Sequence, residues 1–319
     1  MKFNKFLTLL TIPFISSCSI NHGPAFYSRT IPYVFNAFVD ILLYEGSNQN
    51  LDDLEDIMTS LDILTDNYKA RPKNNVYTIN NSSSDVLVDS TLYDLIEKAK
   101  EVKNLGATYF NPLLGSLNKK WKEALEKSEV LDSEVINTEL EKINNSFIEL
   151  KDNYYVYKSG DAEIDLGGIA KGFATDLAYD YLKKAGINKY MINTGRSSVL
   201  LGESNESDGY FRVNFEEYPS IKFRAKNCFI STSGNAVQGK EIGGVKYSHI
   251  INPITGSAVN NYDCVVVLSN SGYLGDALST SMMFNTIDEI KEIETNQKVK
   301  CIVIKDNQIQ YINSGIEVI

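Results

Sequence analysis

A short acidic and glycine-rich segment, residues 161–176, carries the residue types best suited to chemistry on a phosphate. It reads DAEIDLGGIAKGFATD, so Asp165 precedes a Gly-Gly turn and Lys171 follows it. Apolar residues then recur at helical spacing until Gly186, which predicts an amphipathic helix. A glycine turn in front of a helix presents backbone N–H groups that attract phosphate. The same glycines could instead serve only to turn the chain into the helix.

A second candidate pair, Asp276 and Thr280, lies four residues apart on another predicted helix and therefore on one of its faces. The apolar residues of this segment are expected to pack inward on the other face. Carboxylate and hydroxyl oxygens are hard donors that suit Mg²⁺ shared with phosphate oxygens and water. The alternative is a surface aspartate near a threonine that bonds to its own helix.

The start of the chain is typical of an exported lipoprotein. A basic start is followed by an apolar run, Phe6–Ile15, and then by Ser-Ser before Cys18. The run has the length of the apolar region of a signal peptide and is too short to span a bilayer. Cysteine after Ser-Ser looks like a bacterial lipobox. We therefore expect a signal peptide at 1–17, lipidation of Cys18, a tether over 18–30, and a location on the extracytoplasmic face of the cell membrane. An ordinary signal peptide with an incidental cysteine is the alternative.

Composition limits the partners and the metal. A net charge of −10 argues against nucleic acid, and recognition of phosphate must therefore be local. Cys228, Cys264 and Cys301 lie in apolar, strand-like contexts without a CxxC pair, which predicts buried free thiols. Only His22 and His249 could supply imidazole. A hard cation on oxygen ligands is therefore expected rather than zinc.

The periodicity of the chain predicts an α+β fold. Helices are expected around 51–61 and 92–102, and residues 114–149 look helical and highly charged, with Trp121 in the core. Strands dominate after residue 186. The predicted strands are Tyr190–Asn193, Phe211–Phe215, Ile221–Arg224, Asp263–Leu268, Val299–Ile304 and Gln308–Ile312.

Four motifs in order resemble those of the ApbE family, the FAD:protein FMN transferases. They are DLGGIAKG at 165–172, TSG at 232–234, SHIINPITG at 248–256 and DALST at 276–280. The resemblance begins more weakly near residue 68 and continues to the C-terminus. It implies one compact, T-fold-like catalytic domain over residues 31–319.

The reaction that the resemblance implies is Mg²⁺-dependent. A Ser or Thr hydroxyl of a secreted or membrane flavoprotein attacks the FMN-side phosphorus of FAD, FMN becomes attached to the acceptor, and AMP leaves. FAD pyrophosphatase activity, with water as the acceptor, is an alternative that would use the same site. A surface lipoprotein that binds FAD without turnover is a third possibility, and the retained Asp276, Thr280, His249 and glycine turn argue against it.

The resemblance also implies roles for individual residues. Asp276, Thr280 and the main-chain carbonyl of Gly168 would bind the metal. His249 could deprotonate the incoming hydroxyl or only contact the ligand, and Asp276 could assist proton removal. The implied FAD contacts are Tyr68, Tyr109, Phe110, Asn111, Asp165, Lys171, Gly195, Ser197, Ser233, His249, Ile250 and Thr255.

Three segments depart from the family pattern. Arg196 stands where a small residue is usual, the N-terminal motif appears only as Phe35-Asn36-Ala37, and Asn74-Asn75 replaces a Ser-Glu pair. These departures affect the expected contacts to adenine and the flavin edge more than the metal site.

Overall fold

The computed structural model describes residues 26–215, 217–219, 221–234 and 239–319. The expected signal peptide at 1–17 and the expected lipidation site, Cys18, lie outside these residues. Within the described ranges, no helix is long and apolar enough to cross a membrane.

Eight helices and sixteen strands make up the described part of the chain. The helices are α1 Asn48–Thr65, α2 Val76–Asn80, α3 Ser90–Glu101, α4 Gly115–Lys127, α5 Ser133–Asn144, α6 Ala170–Lys184, α7 Gly272–Met282 and α8 Ile287–Gln297. The strands are β1 Tyr27–Val34, β2 Ala37–Leu43, β3 Val86–Leu87, β4 Phe147–Lys151, β5 Tyr155–Ser159, β6 Tyr190–Thr194, β7 Ser198–Leu201, β8 Phe211–Asn214, β9 Lys222–Ala225, β10 Cys228–Gly234, β11 Lys240–Ile242, β12 Val245–Tyr247, β13 Cys264–Ser269, β14 Lys300–Lys305, β15 Gln308–Ile312 and β16 Glu317–Val318.

The main sheet has eight strands in the order β1-β2-β6-β7-β10-β13-β14-β15, and its neighbouring strands run antiparallel. Helices α1, α6 and α7 pack on one face. A three-stranded sheet, β16-β9-β8, covers part of the other face. The protein is therefore an α+β domain in which the middle strands of the main sheet are buried on both sides.

Burial on both faces explains the apolar sequence of β13. Val265 and Val267 belong to the core under the helices, whereas Val266 belongs to the core under the small sheet. Successive side chains of a strand point to opposite faces. Because both faces are covered here, the strand reads as a continuous apolar run rather than an alternating one.

Helices α6 and α7 cross at unusually close range because glycine occupies the contact on both of them. A Cβ added to Gly172 would overlap the Gly272 carbonyl, and a Cβ added to Gly272 would overlap the Gly172 carbonyl. We call this contact the helix crossing. Since any larger side chain would push the helices apart, the two glycines set how closely the residues around them approach.

The structure confirms most of the predicted elements, including the helix that ends before Gly186 and the six strands after it. Trp121 is buried, and its Nε1–H donates to the Gly256 carbonyl at 2.8 Å. Cys264 and Cys301 are buried free thiols, and Cys228 is a half-buried one.

Three details of the sequence prediction are wrong. Residues 114–149 are not helical throughout: α4 ends at Lys127, before Ser128 with a φ of 64°, α5 begins after Asp132, and strand β4 begins at Phe147. The strand β1 includes Tyr27–Thr30, which the sequence assigns to the tether, because these residues pair with β2. Helix α7 is buried on nearly all sides, including at Asp276, rather than on one apolar face.

Candidate active site at the helix crossing

The carboxylate of Asp276 is the central group of the candidate site. It is only 7% exposed, and three donors hold it in place. The hydroxyls of Ser198 and Ser231 each donate to Oδ1 at 2.7 Å, and the backbone N–H of Gly172 donates to Oδ2 at 2.6 Å. The side chain is thus fixed by two strands and one helix at once.

Strand register explains how the two hydroxyls meet at one oxygen. Ser198 on β7 lies directly opposite Ser231 on β10. Ser231 alternates with Ile230, whose side chain faces the small sheet, so Ser231 faces the helices. We call Ser198 and Ser231 the hydroxyl pair. Together with Ser233 and Ser269, it gives the face of the sheet beneath α7 a polar patch.

Burial raises the pKa of Asp276 to about 6. The Lys171 ammonium, the hydroxyl pair and the Gly172 N–H act in the opposite direction and favour the ionised form. A buried charge is costly unless it is paired and hydrogen-bonded. Near neutral pH the carboxylate is therefore ionised at a cost to folding, which a cation bound beside it would offset.

Hard oxygen donors cluster around Asp276. The hydroxyl of Thr280 lies 3.2 Å from that of Ser233, and a Cβ built at Gly168 would lie 3.8 Å from the Thr280 hydroxyl. A carboxylate offers about four acceptor positions, of which the three donors occupy three. One acceptor position on Asp276 is left, and Thr280 follows one turn later on α7, so these are the oxygens that could hold a cation near the Gly168 turn.

The candidate cation site has one acidic ligand. In the part of the chain that the structure describes, no three His, Cys, Asp or Glu side chains gather in a group able to hold a metal. A cation at Asp276 would depend on neutral oxygens and on ligand phosphates for its remaining contacts. Such a donor set suits Mg²⁺, which commonly binds through one or two carboxylates together with substrate phosphates.

The Lys171 ammonium is close enough to both Asp276 and His249 to act on each of them electrostatically. Burial lowers the pKa of Lys171, and the Asp276 carboxylate opposes this effect. His249 is exposed, but desolvation by the protein around its ring lowers its pKa to about 4, and the Lys171 ammonium adds to the lowering. The imidazole is therefore neutral at pH 7 in the ligand-free protein.

The loop that carries His249 is held by contacts with Trp121 on α4. Ser248 is fully buried and donates its backbone N–H to the Ala258 carbonyl at 2.7 Å. Trp121 bonds to the Gly256 carbonyl and stacks on Tyr247 with 5.8 Å between ring centroids. The histidine is thus attached to a fixed loop.

Asp165 shapes the glycine turn. Its Oδ1 accepts the backbone N–H of Gly167 at 2.8 Å, and its Oδ2 accepts the Asn118 side-chain amide at 3.0 Å. Both glycines of the turn are exposed, so their backbone groups face solvent. The predicted FAD contact Asp165 therefore has a structural task in this turn.

The aromatic segment 109–111 lies beside the turn. Phe110 would be 3.2 Å from a Cβ at Gly168, and the Tyr109 N–H donates to the Ser281 hydroxyl on α7 at 3.0 Å. Asn111 accepts the Leu113 N–H at 2.9 Å. Of these three predicted contacts, Phe110 and Tyr109 adjoin the site directly.

Tyr68 lies further out, against the side of α4. Its ring is 56% exposed and has the Lys119 and Lys122 ammonium groups 5.1 and 5.7 Å from its centroid. Lys119 also pairs with Glu163 at 2.6 Å, two residues before Asp165. An open ring at this edge offers an aromatic face for stacking.

The remaining predicted contacts occupy varied positions. Gly195 turns the chain with a φ of 64°, and a Cβ there would lie 3.8 Å from Cδ of Lys171. Ser197 adjoins Ser198 and accepts the Thr232 N–H through its carbonyl at 2.7 Å. Ile250 is buried and Thr255 is exposed within the same loop as His249.

Four polar groups that build the site could not be recognised from the sequence. The hydroxyl pair and Asn118 carry no local signal, because their contacts come from strand register and from packing of α4. Asp176 ends the glycine-rich segment and accepts the N–H groups of Gly272 and Tyr273, each at 2.7 Å. The position of Asp176 at the end of the segment 161–176 is the one sequence feature that points to it.

A glycine turn, a lysine and a buried carboxylate with hard oxygen neighbours suit a protein that handles phosphate esters. The chain belongs to the ApbE family, whose model matches residues 35–303.

Several relatives carry the name FAD:protein FMN transferase. The protein of Treponema pallidum is 26% identical over 220 residues, which are 62% of this chain and 61% of that protein. The protein of Vibrio cholerae is 38% identical over 128 residues, 38% of each chain. That of Chlamydia muridarum is 22% identical over 314 residues, 95% of this chain and 98% of that protein. The matches thus span less than two thirds of the first two relatives.

Solved structures share the fold. The ApbE protein of Thermotoga maritima superposes with a TM-score of 0.77 at 20% identity and covers 91% of this chain and 98% of its own. The flavin transferase ApbE of Vibrio cholerae gives 0.73 at 21% identity, with 91% and 97% covered. At these identities the likeness establishes the fold.

The raised pKa of Asp176 predicts a pH-dependent stability difference. Burial raises its pKa from 3.8 to about 6, and the charge of Asp276 adds to the rise. A raised acid pKa gives stability below pH 4 that is lost as the pH rises through about 6. The unfolding free energy of the wild type minus that of Asp176→Asn should therefore fall by up to about 3 kcal/mol between pH 4 and 7.

Urea unfolding in metal-free buffer measures this difference. Asp180→Asn is the matched control, because Asp180 is exposed on the same helix one turn later. Asp180→Asn removes the same charge from an exposed position, so its profile is the reference against which the Asp176→Asn profile is read. A level or rising profile for Asp176→Asn would show that ionisation of Asp176 carries no folding cost.

Proposed function

We propose that this protein is a Mg²⁺-dependent FAD:protein FMN transferase. It moves FMN from FAD onto a Ser or Thr hydroxyl of a secreted or membrane flavoprotein and releases AMP. The observation that carries the proposal is the buried Asp276 carboxylate, which three donors hold one helical turn before Thr280, whose hydroxyl lies near the Gly168 turn. The names of the relatives support the choice of FAD as substrate.

The metal would be held by Asp276, Thr280 and the Gly168 carbonyl. When bound, Mg²⁺ would neutralise negative charge on the pyrophosphate. The protein contributes rigidity: the hydroxyl pair and the Gly172 N–H prevent the carboxylate from rotating.

FAD would lie across the same group of residues. The exposed glycine turn and Lys171 provide local positive potential for the pyrophosphate in a protein with a net charge of −10. Phe110 and Tyr109 line the turn, and Tyr68 offers a ring face for the isoalloxazine at the outer edge. The net negative charge of the protein would disfavour nonspecific binding of the anionic dinucleotide outside this site.

The transfer forms one bond and breaks one. The acceptor oxygen attacks the FMN-side phosphorus, the bridging P–O bond breaks, and AMP leaves with the bridging oxygen and its electron pair. His249 is neutral at pH 7 and can accept the hydroxyl proton. An anionic pyrophosphate beside it raises the pKa of the imidazole toward the working pH, where a base is most effective.

Two other activities would use the same groups. An FAD pyrophosphatase would direct water at the same phosphorus and release free FMN with AMP. A binding protein would hold FAD without cleaving it. Such a protein would have no need for a buried carboxylate at Asp276, whose ionisation is costly.

One assay separates the three activities. The purified protein is incubated with FAD and Mg²⁺, with and without a flavin-acceptor protein that carries a reactive Thr, and AMP, FMN and acceptor mass are followed. We expect AMP only with the acceptor, together with a mass gain of one FMN unit. Asp276→Ala should lower AMP release at least roughly 100-fold, about 3 kcal/mol in the barrier.

Asp288→Ala is the matched control, because Asp288 lies on α8 with its side chain 95% exposed. It should leave AMP release unchanged. AMP with free FMN in the absence of acceptor would identify a pyrophosphatase. Bound FAD without AMP in any sample, or unchanged AMP release by Asp276→Ala, would contradict the proposed site.

We also propose that the protein is exported and attached to the extracytoplasmic face of the membrane through a lipid on Cys18. The basic start, the apolar run Phe6–Ile15 and the Ser-Ser-Cys sequence support this. In cells of a bacterium that processes lipoproteins, the wild type should incorporate labelled palmitate and sediment with membranes. Cys18→Ala should lose the label, and an unlabelled wild type would overturn the proposal.

A further inference from the structure

Asp176 and Asp276 cap each other's helices. Asp276 on α7 accepts the N–H of Gly172, the third residue of α6, at 2.6 Å. Asp176 on α6 accepts the N–H groups of Gly272 and Tyr273, the first two residues of α7, at 2.7 Å each. A carboxylate at a helix N-terminus satisfies free N–H groups and matches the helix dipole. The caps are thus exchanged between the two helices.

The same sequence pattern produces both caps. Helix α6 contains Gly-Phe-Ala-Thr-Asp at 172–176, and α7 contains Gly-Tyr-Leu-Gly-Asp at 272–276. In each helix the glycine and the aspartate are four residues apart and share a face. Since the glycines touch at the helix crossing, each aspartate reaches the first turn of the opposite helix.

The first turn of α7 has no cap of its own. Ser271 precedes the helix, but its side chain makes no capping hydrogen bond. Asp176 therefore supplies the side-chain acceptor for the start of α7. Asp276 follows one turn later on the same helix, so the position of its backbone depends on how that start is held against α6.

We propose that Asp176 is a positioning residue for Asp276, which rests on the proposed function of Asp276 as the metal-binding carboxylate. Asp176 fixes the first turn of α7 and thereby places the Asp276 carboxylate over the hydroxyl pair. Asp176 itself contacts neither metal nor substrate. Asp176 fixes the position of α7 along α6. When Asp176 is replaced, α7 can shift, whereas Ser198 and Ser231 remain in place in the sheet.

Direct metal binding tests this role without FAD. Mn²⁺ is titrated into the purified full chain and followed by electron paramagnetic resonance, with circular dichroism and thermal unfolding as checks of folding. In Asp176→Asn one of the two acceptor oxygens becomes an NH₂ group, which cannot accept the N–H that faces it. The dissociation constant of Mn²⁺ should rise at least tenfold, while Asp180→Asn on the same helix should stay within twofold of the wild type.

Asp176→Glu is the second variant. It keeps the charge and both acceptor oxygens, but its longer side chain displaces the start of α7, so we expect a rise in the dissociation constant of at least fivefold in a folded protein. Wild-type affinity in either folded variant would overturn the positioning role. Loss of folding in both variants would also overturn it, because the carboxylate would then serve the fold alone. A wild type that binds no Mn²⁺ would count against the proposed metal site instead.

Discussion

The site depends on the close crossing of two helices, and that crossing requires glycine on both sides. With Gly172 and Gly272 in contact, the carboxylate of each helix lies within hydrogen-bonding distance of the other helix's first turn. A side chain at either position would separate the helices and break both caps. The α6–α7 pair thus behaves as one unit on the face of the main sheet.

The helix crossing places two carboxylates, Asp176 and Asp276, at positions where ionisation lowers the stability of the fold. Burial raises the pKa of both Asp176 and Asp276 to about 6, so each carboxylate is ionised at neutral pH at a cost in stability. A buried carboxylate that is kept ionised and oriented is the kind of group that functional sites require. A bound cation would recover part of the cost at Asp276.

The sequence predicts the parts of the site that are local. The glycine turn, the helix that follows it and the Asp276–Thr280 pair all follow from spacing within one segment, and the structure brings Gly168 and Thr280 together. The α+β class likewise follows from periodicity. The break at Ser128 escapes prediction because a left-handed serine carries no strong sequence signal.

The contacts between distant segments could not be predicted in the same way. That Ser198 faces Ser231 depends on the pairing of β7 with β10, and a shift of one residue would turn either hydroxyl to the other face. The repeated glycine–aromatic–x–x–aspartate pattern in α6 and α7 is visible in the sequence. Its meaning depends on knowing that the two glycines touch.

The most direct test of the central claim is a crystal structure of the protein grown with Mn²⁺, with the ion located by its anomalous scattering. We expect one strong peak bound by the Asp276 carboxylate, with the Thr280 hydroxyl and the Gly168 carbonyl as its other protein ligands. A Mn²⁺ peak at another site, with the Asp276 carboxylate unliganded and still bonded to Ser198, Ser231 and Gly172, would contradict it.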